Sequence, residues 1–237
     1  MTVPALARCR RGEASPASRL RATFFGWFTA IALVAASSAA HAGAQVEEPL
    51  ADAVRSALSN AIAQRAAPPT LTFENGDEHV AYLRWLFAMS DRLKKRLTES
   101  QVRVELLQTV WYESHRAGLD PALVLGVMQV ESGFRKYVIS TAGARGYMQV
   151  MPFWTRQIGD GDSGRLFHMQ ANLRFGCVIL RHYLDTEKGD LFMALGRYNG
   201  SRGRAKYPDA VLAARRQWLM PPAAGASAGA ALGPVKR

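Results

Sequence analysis

The chain has 237 residues, 49% of them hydrophobic, and a formal net charge of +11. Its basic balance implies anionic company, which is cell-wall polymer, a membrane surface or nucleic acid. Of its two cysteines only Cys177 lies beyond the first 42 residues, which excludes an intramolecular disulfide in a chain trimmed there.

Residues 1–42 read as a targeting segment. Arg8, Arg10, Arg11, Arg19 and Arg21 form a basic stretch, "ATFFGWFTAIALVAASSAA" an apolar one, and Ala40-His41-Ala42 an A-x-A cleavage signal. A retained membrane anchor is the competing reading, since the apolar stretch approaches a spanning length. The small residues at its end favour a signal peptide cleaved after Ala42 and an exported, periplasmic chain with no stable membrane insertion. Cys9 precedes the apolar stretch, which argues against a lipoprotein, and export makes nucleic acid the poorer partner. The trimmed chain keeps 25 basic and 18 acidic side chains, a formal +7.

Beyond that segment the periodicity is helical nearly throughout. Apolar residues recur at three- and four-residue spacings over 51–64, 77–97, 100–117, 120–132, 172–184, 190–199 and 209–219, and no stretch alternates as a strand. The predicted fold class is all-α. An N-terminal extension with a linker covers 43–76, where two prolines and Asn75-Gly76 interrupt the periodicity. One helical domain covers 77–219, with enough apolar residues for a real core. A low-complexity tail, 220–237, is expected to be disordered. Its Gly225–Gly229 stretch matches G-x-S-x-G, but with neither a strand before nor a helix after, Ser227 is a chance hit.

In "NLRFGCVILRHYL", Cys177 shares a helical face with Leu173, Leu180 and Leu184 and reads as a buried thiol. His79, His115, His168 and His182 show no metal-ligand spacing, and no glycine-rich loop has phosphate-cradling spacing, so no metal and no cofactor is expected.

The unusual residue is Glu131, at the end of "DPALVLGVMQVES". Asp120 is a good N-cap, Pro121 a good first residue and Gly133 a plausible stop, which puts Glu131 in the last turn. It shares a face with Val124, Val127 and Met128. Apolar surroundings and the negative end of the helix dipole both raise a carboxyl pKa, and a carboxyl protonated near neutral pH is what a general acid requires. Position alone leaves a second reading open, in which Glu131 pairs with Arg135 or Arg145 and ties the helix to the next loop.

The residues that follow carry a resemblance. Glu131-Ser132, Ser140 with Gly143-Ala144, Gly146-Tyr147-Met148-Gln149, then Asn172, then Arg197-Tyr198-Asn199-Gly200 resemble, in order, the motifs of the soluble lytic transglycosylases, a goose-lysozyme-like family of peptidoglycan-cleaving enzymes. The likeness covers roughly 100–218. It departs at Tyr147, where the family usually has Leu, at Arg197, where it often has Ala, and at the serine after Gly200.

The resemblance implies a lysozyme-like helical domain acting on peptidoglycan glycan strands, with envelope protein complexes as further partners. It implies cleavage of the β-1,4 bond between N-acetylmuramic acid and N-acetylglucosamine. Glu131 would protonate the leaving oxygen, then act as base on the C6 hydroxyl to close a 1,6-anhydro ring. The substrate's acetamido group would share the positive charge, an exception to the two-carboxylate rule. Gln149 and Asn199 would bond acetamido groups, and Met148 and Tyr198 would wall the acid. Ser132 would bond the glycan or Glu131, Ser140 would contact the strand, and Gly143 and Gly146 would let the backbone approach the sugar. The plainer alternatives are Met148 and Tyr198 as core, and Asn199 as a helix end beside Gly200.

Two rivals remain. A muramidase would need a second carboxylate for water, with Asp160 and Asp162 the nearest in sequence. A binding protein that lost its chemistry would have no use for a desolvated acid.

Overall fold

The computed structural model of the protein describes residues 45–63 and 71–221. The targeting segment, the prolines of the linker, and nearly all of the tail including Ser227 lie outside these residues.

Eight α-helices are present among the described residues: α1 (Asp52–Ala63), α2 (Gly76–Leu93), α3 (Ser100–Arg116), α4 (Pro121–Glu131), α5 (Phe153–Ile158), α6 (Met169–Thr186), α7 (Leu191–Asn199) and α8 (Lys206–Trp218). A short 3-10 helix, Ser163–Phe167, precedes α6. The only β-type pairing there is two isolated bridges, Ile139 with Arg145 and Arg145 with Val150, so the expected all-α class holds. None of these helices is long and apolar enough to cross a membrane.

Short polar side chains start several of these helices, among them Asn75, which the sequence reads as part of the linker. Asn75 accepts from the Glu78 N–H (2.9 Å), while Glu78 reaches back to the Glu74 N–H (2.7 Å), an exchange close to a capping box. Asp120 and Asp190 accept from the Ala122 and Met193 N–H groups at 2.9 and 3.0 Å. Three boundaries differ from the periodicity by three residues or more, and one helix is added. The chain leaves α2 at Leu93, four residues early, α6 and α8 begin at Met169 and Lys206, each three residues early, and the six-residue α5 is too short for its periodicity to have shown. Pro208 falls in the first turn of α8, where its missing N–H has no intrahelical partner to lose.

α4 is the central helix, lying against α3 and α8. Val124, Leu125, Val127 and Met128 are completely buried, each contributing about 1.5–3 kcal/mol. Gly126 permits the approach of α8, since a Cβ there would lie 2.9 Å from the Arg215 nitrogen and 3.0 Å from the Val211 carbonyl oxygen. Behind α3, the buried Glu113 accepts from Arg174 of α6 at 2.8 and 3.0 Å and from Arg116 at 3.1 Å. Arg116 also donates to the Ala61 carbonyl (2.7 Å) at the end of α1. The extension is held at its other end as well, where Gln45 accepts from the Trp154 indole at 2.7 Å. Cys177 is buried, and burial pushes its thiol up.

Candidate active site

Glu131 is the last residue of α4 and only 2% exposed. The Tyr207 hydroxyl, from the first turn of α8, donates to its Oε1 at 2.6 Å. Its Oε2 is buried without a hydrogen-bond partner. Burial pushes the carboxyl pKa up to about 8 against the smaller, opposing hydrogen bond from Tyr207.

The ion-pair alternative is not what the structure adopts. Arg135 turns its Nε to the Ser132 carbonyl (2.8 Å) and Arg145 its Nη1 to the carbonyl and hydroxyl of Ser163 (2.9 and 3.0 Å). With no cation on it, the carboxyl resolves its burial by staying protonated.

A second layer is organised by the turn at 145–149. Asn172 of α6 accepts from the Met148 N–H (2.8 Å) and donates to the carbonyls of Arg145 and Leu166 (both 2.8 Å). Gly146 has φ +75°, and a Cβ there would lie 2.4 Å from the Asn172 amide nitrogen. Tyr198 of α7 donates to the Met148 carbonyl (2.8 Å). Burial, then the Glu131 charge, pushes the hydroxyls of both Tyr198 and Tyr207 well above their ordinary value. Glu131, Met148, Tyr198 and Tyr207 therefore form one buried group.

The other expected residues divide by how their polar atoms are used. The Ser132 hydroxyl lies 2.7 Å from the Tyr147 carbonyl and accepts from the Phe134 N–H at 3.1 Å, a backbone-holding arrangement. Ser140, half-buried, accepts from the Ala144 N–H at 3.0 Å. Gln149 donates to the carbonyls of Gly146 (2.9 Å) and Val138 (3.1 Å), while its Oε1 is buried and unpartnered. Asn199 donates to the Ser201 hydroxyl at 3.0 Å and ends α7, with Gly200 at φ +73° behind it. Arg197 points elsewhere, to Glu187 (2.6 Å) and Glu48 (3.1 Å).

Tyr207 is the residue that sequence reasoning missed; its one signal is an aromatic at the head of an amphipathic helix, "KYPDAV". Asn172 stood in the family pattern without a role, and the structure supplies one. Asp160 and Asp162 are engaged locally, the first paired with Arg165 and the second accepting from the Gly164 N–H at 2.8 Å. Among the described residues no group of His, Cys, Asp or Glu is placed to hold a metal ion. A cavity of about 760 Å³ opens between α1, α5 and α6, lined by Ser59, Asp160, Arg165, His168 and Arg174 among others, and includes neither Glu131 nor any residue the resemblance places around it.

The family model of the transglycosylase SLT domain matches residues 109–217. The chain is 34% identical over 100 residues to a transglycosylase of Enterobacteria phage PRD1, covering 42% of this chain and 36% of that one. It is 32% identical over 105 residues to membrane-bound lytic murein transglycosylase C of Haemophilus influenzae (strain ATCC 51907 / DSM 11121 / KW20 / Rd), covering 38% and 29%. Among solved structures it resembles an inactive variant of the lytic transglycosylase Slt from Pseudomonas aeruginosa, with 21% identity, a TM-score of 0.38, and coverage of 59% of this chain and 27% of that one. The chain thus spans roughly a third or less of the length of these curated relatives.

Proposed function

We propose, from the match of residues 109–217 to the transglycosylase SLT domain, that the protein is a peptidoglycan lytic transglycosylase with Glu131 as its acid and base. The observation that carries this reading is a buried carboxyl at about pKa 8 with one oxygen held by Tyr207 and the other unpartnered. Buried polar atoms are nearly always hydrogen-bonded, so an orphaned carboxyl oxygen marks a place for a ligand group.

Tyr207 donates to Oε1, which leaves Oε2 to carry the proton. That proton passes to the glycosidic oxygen as the bond between the muramoyl C1 and that oxygen breaks, and N-acetylglucosamine leaves as the alcohol. The acetamido oxygen of the muramoyl sugar shares the positive charge at C1. Glu131, now a carboxylate, takes the proton of the C6 hydroxyl as its oxygen bonds to C1, which restores the acid and closes the 1,6-anhydro ring. No water is consumed. The unpartnered Gln149 Oε1 suits an acetamido N–H, and the apolar bodies of Met148 and Tyr198 keep the acid desolvated. That substrate would put this work outside the cytoplasmic membrane, in keeping with the export signal expected at 1–42.

Mass spectrometry of sacculi digested with the protein tests the proposal. Anhydromuramoyl ends are expected, absent with Glu131→Gln while glycan binding persists. Reducing ends would indicate hydrolysis, and undiminished cleavage by the variant would remove Glu131 from the reaction.

A further inference from the structure

The loop that carries the site also exposes apolar surface with no use in the core. Tyr137 is 72% exposed and Ile139 59%. Tyr137 closes a turn that leads into the bridge residue Ile139, and exposure alternates along it, with Val138 and Ser140 half-buried and Tyr137 and Ile139 outward.

Its backbone is fixed to the turn that holds Met148 and Gln149. The Val138 carbonyl accepts from the Gly146 N–H at 3.0 Å and from the Gln149 amide at 3.1 Å, and the Ser140 N–H donates to the Ala144 carbonyl at 3.0 Å. The Tyr137 ring lies 6.1 Å from that of Phe167, tilted by 40°. Arg145 sits over Phe167 at 5.6 Å, and the Lys136 ammonium over Tyr137 at 5.2 Å.

Singly exposed apolar residues need no explanation, but an exposed tyrosine and isoleucine on one hydrogen-bonded loop beside a candidate site, with the half-buried Phe167 of the 3-10 helix near the tyrosine ring, do. The apolar C–H faces of β-1,4-linked sugars fit aromatic surfaces, and the peptide stems of a glycan strand bring carboxylates for a lysine. We propose that Tyr137, with Ile139 and Phe167 beside it, is a sugar-stacking platform that holds an N-acetylhexosamine unit of the strand beyond those at Glu131, with Lys136 meeting a stem carboxylate. The platform rests on the peptidoglycan reading and extends it to a strand several sugars long. Lys136 shifts aside to admit the sugar, since a cation over an exposed ring is weakly held.

The test uses the full chain carrying Glu131→Gln, so that binding is read without turnover, with N-acetylglucosamine dimer and hexamer as probes in calorimetry. Adding Tyr137→Ala is expected to weaken hexamer binding about three- to tenfold, the worth of one aromatic contact. The dimer Kd should stay within about twofold and Tyr137→Phe should restore hexamer binding. An unchanged hexamer Kd, or equal loss for dimer and hexamer, overturns the platform. If the otherwise unaltered protein still releases anhydromuramoyl ends from sacculi, the platform alone has failed. If it neither binds the hexamer nor cleaves sacculi, the functional reading fails and the platform with it.

Discussion

At Glu131 burial and a hydrogen bond oppose each other, and burial wins. The folded carboxyl keeps its proton to about pH 8, whereas an unfolded chain releases it near the ordinary value of 4.5. Between those limits the unfolded state binds fewer protons, so stability falls as pH rises from 4.5 to 8 and is level outside that window for this group. The cost across the window is on the order of a few kcal/mol. Glu131→Gln removes it, and thermal unfolding should show a higher Tm for the variant than for the parent at pH 8 but no gain at pH 4. A gain of equal size at both values would mean that ionisation is not its source. Tyr207→Phe takes away the hydrogen bond that lowers this pKa. The alkaline limb of cleavage should therefore move upward, and the rate should fall about tenfold because the carboxyl loses its anchor. A limb shifted downward would contradict the arrangement. Glu131 is legible in the sequence because a carboxylate ending an apolar helix breaks a local rule. Tyr207 is not, being 76 residues away and ahead of Asp209, where periodicity alone begins the helix.

The element on which the site depends is the turn at 145–149, which has no regular structure of its own and takes its shape from Asn172. Gly146 combines a left-handed φ of +75° with a contact that a Cβ would bring to 2.4 Å. Gly146→Ala is expected to cost about 2–3 kcal/mol, read as a fall in the denaturant midpoint; a loss below about 0.5 kcal/mol would show that the turn yields. The hydroxyl of Ser132 serves the same loop by holding Tyr147 and Phe134, and that of Ser140 holds Ala144. The sequence marks both serines but says nothing about which way their oxygens turn. The departures at 197 and 201 resolve similarly. Ser201 receives the Asn199 amide, and Arg197 joins Arg202 on Glu187, Arg202 being the larger cause that holds that carboxyl down to about 2.

Across the whole molecule, the extension is bonded to the helical body at separate points. Gln45 meets Trp154, Glu48 meets Arg197, and Ala61 meets Arg116. Arg116 in turn shares Glu113 with Arg174, so one buried carboxylate connects α3, α6 and, through Arg116, α1. Removing one partner of such a buried pair leaves the other charge uncompensated, and Glu113→Ala should cost about 3–5 kcal/mol in equilibrium unfolding. Joint replacement of Glu113, Arg116 and Arg174 by apolar residues of similar size should recover much of that loss; no recovery would show that the carboxylate does more than neutralise the arginines.

What the sequence determined by itself was local: seven of the eight described α-helices, the cap at Asp120, the placement of Glu131 in the last turn of an apolar helix, and the ordered motifs that resemble those of the soluble lytic transglycosylases. These depend on spacings of a few residues, which periodicity and capping preferences express directly. The tertiary structure alone decided that Glu131 has a tyrosine and no arginine, that Asn172 shapes the turn beside it, and that Tyr137 and Phe167 meet at the surface. Each of those facts joins residues far apart in the chain, and hydrogen-bond partners and burial exist only once the helices have packed.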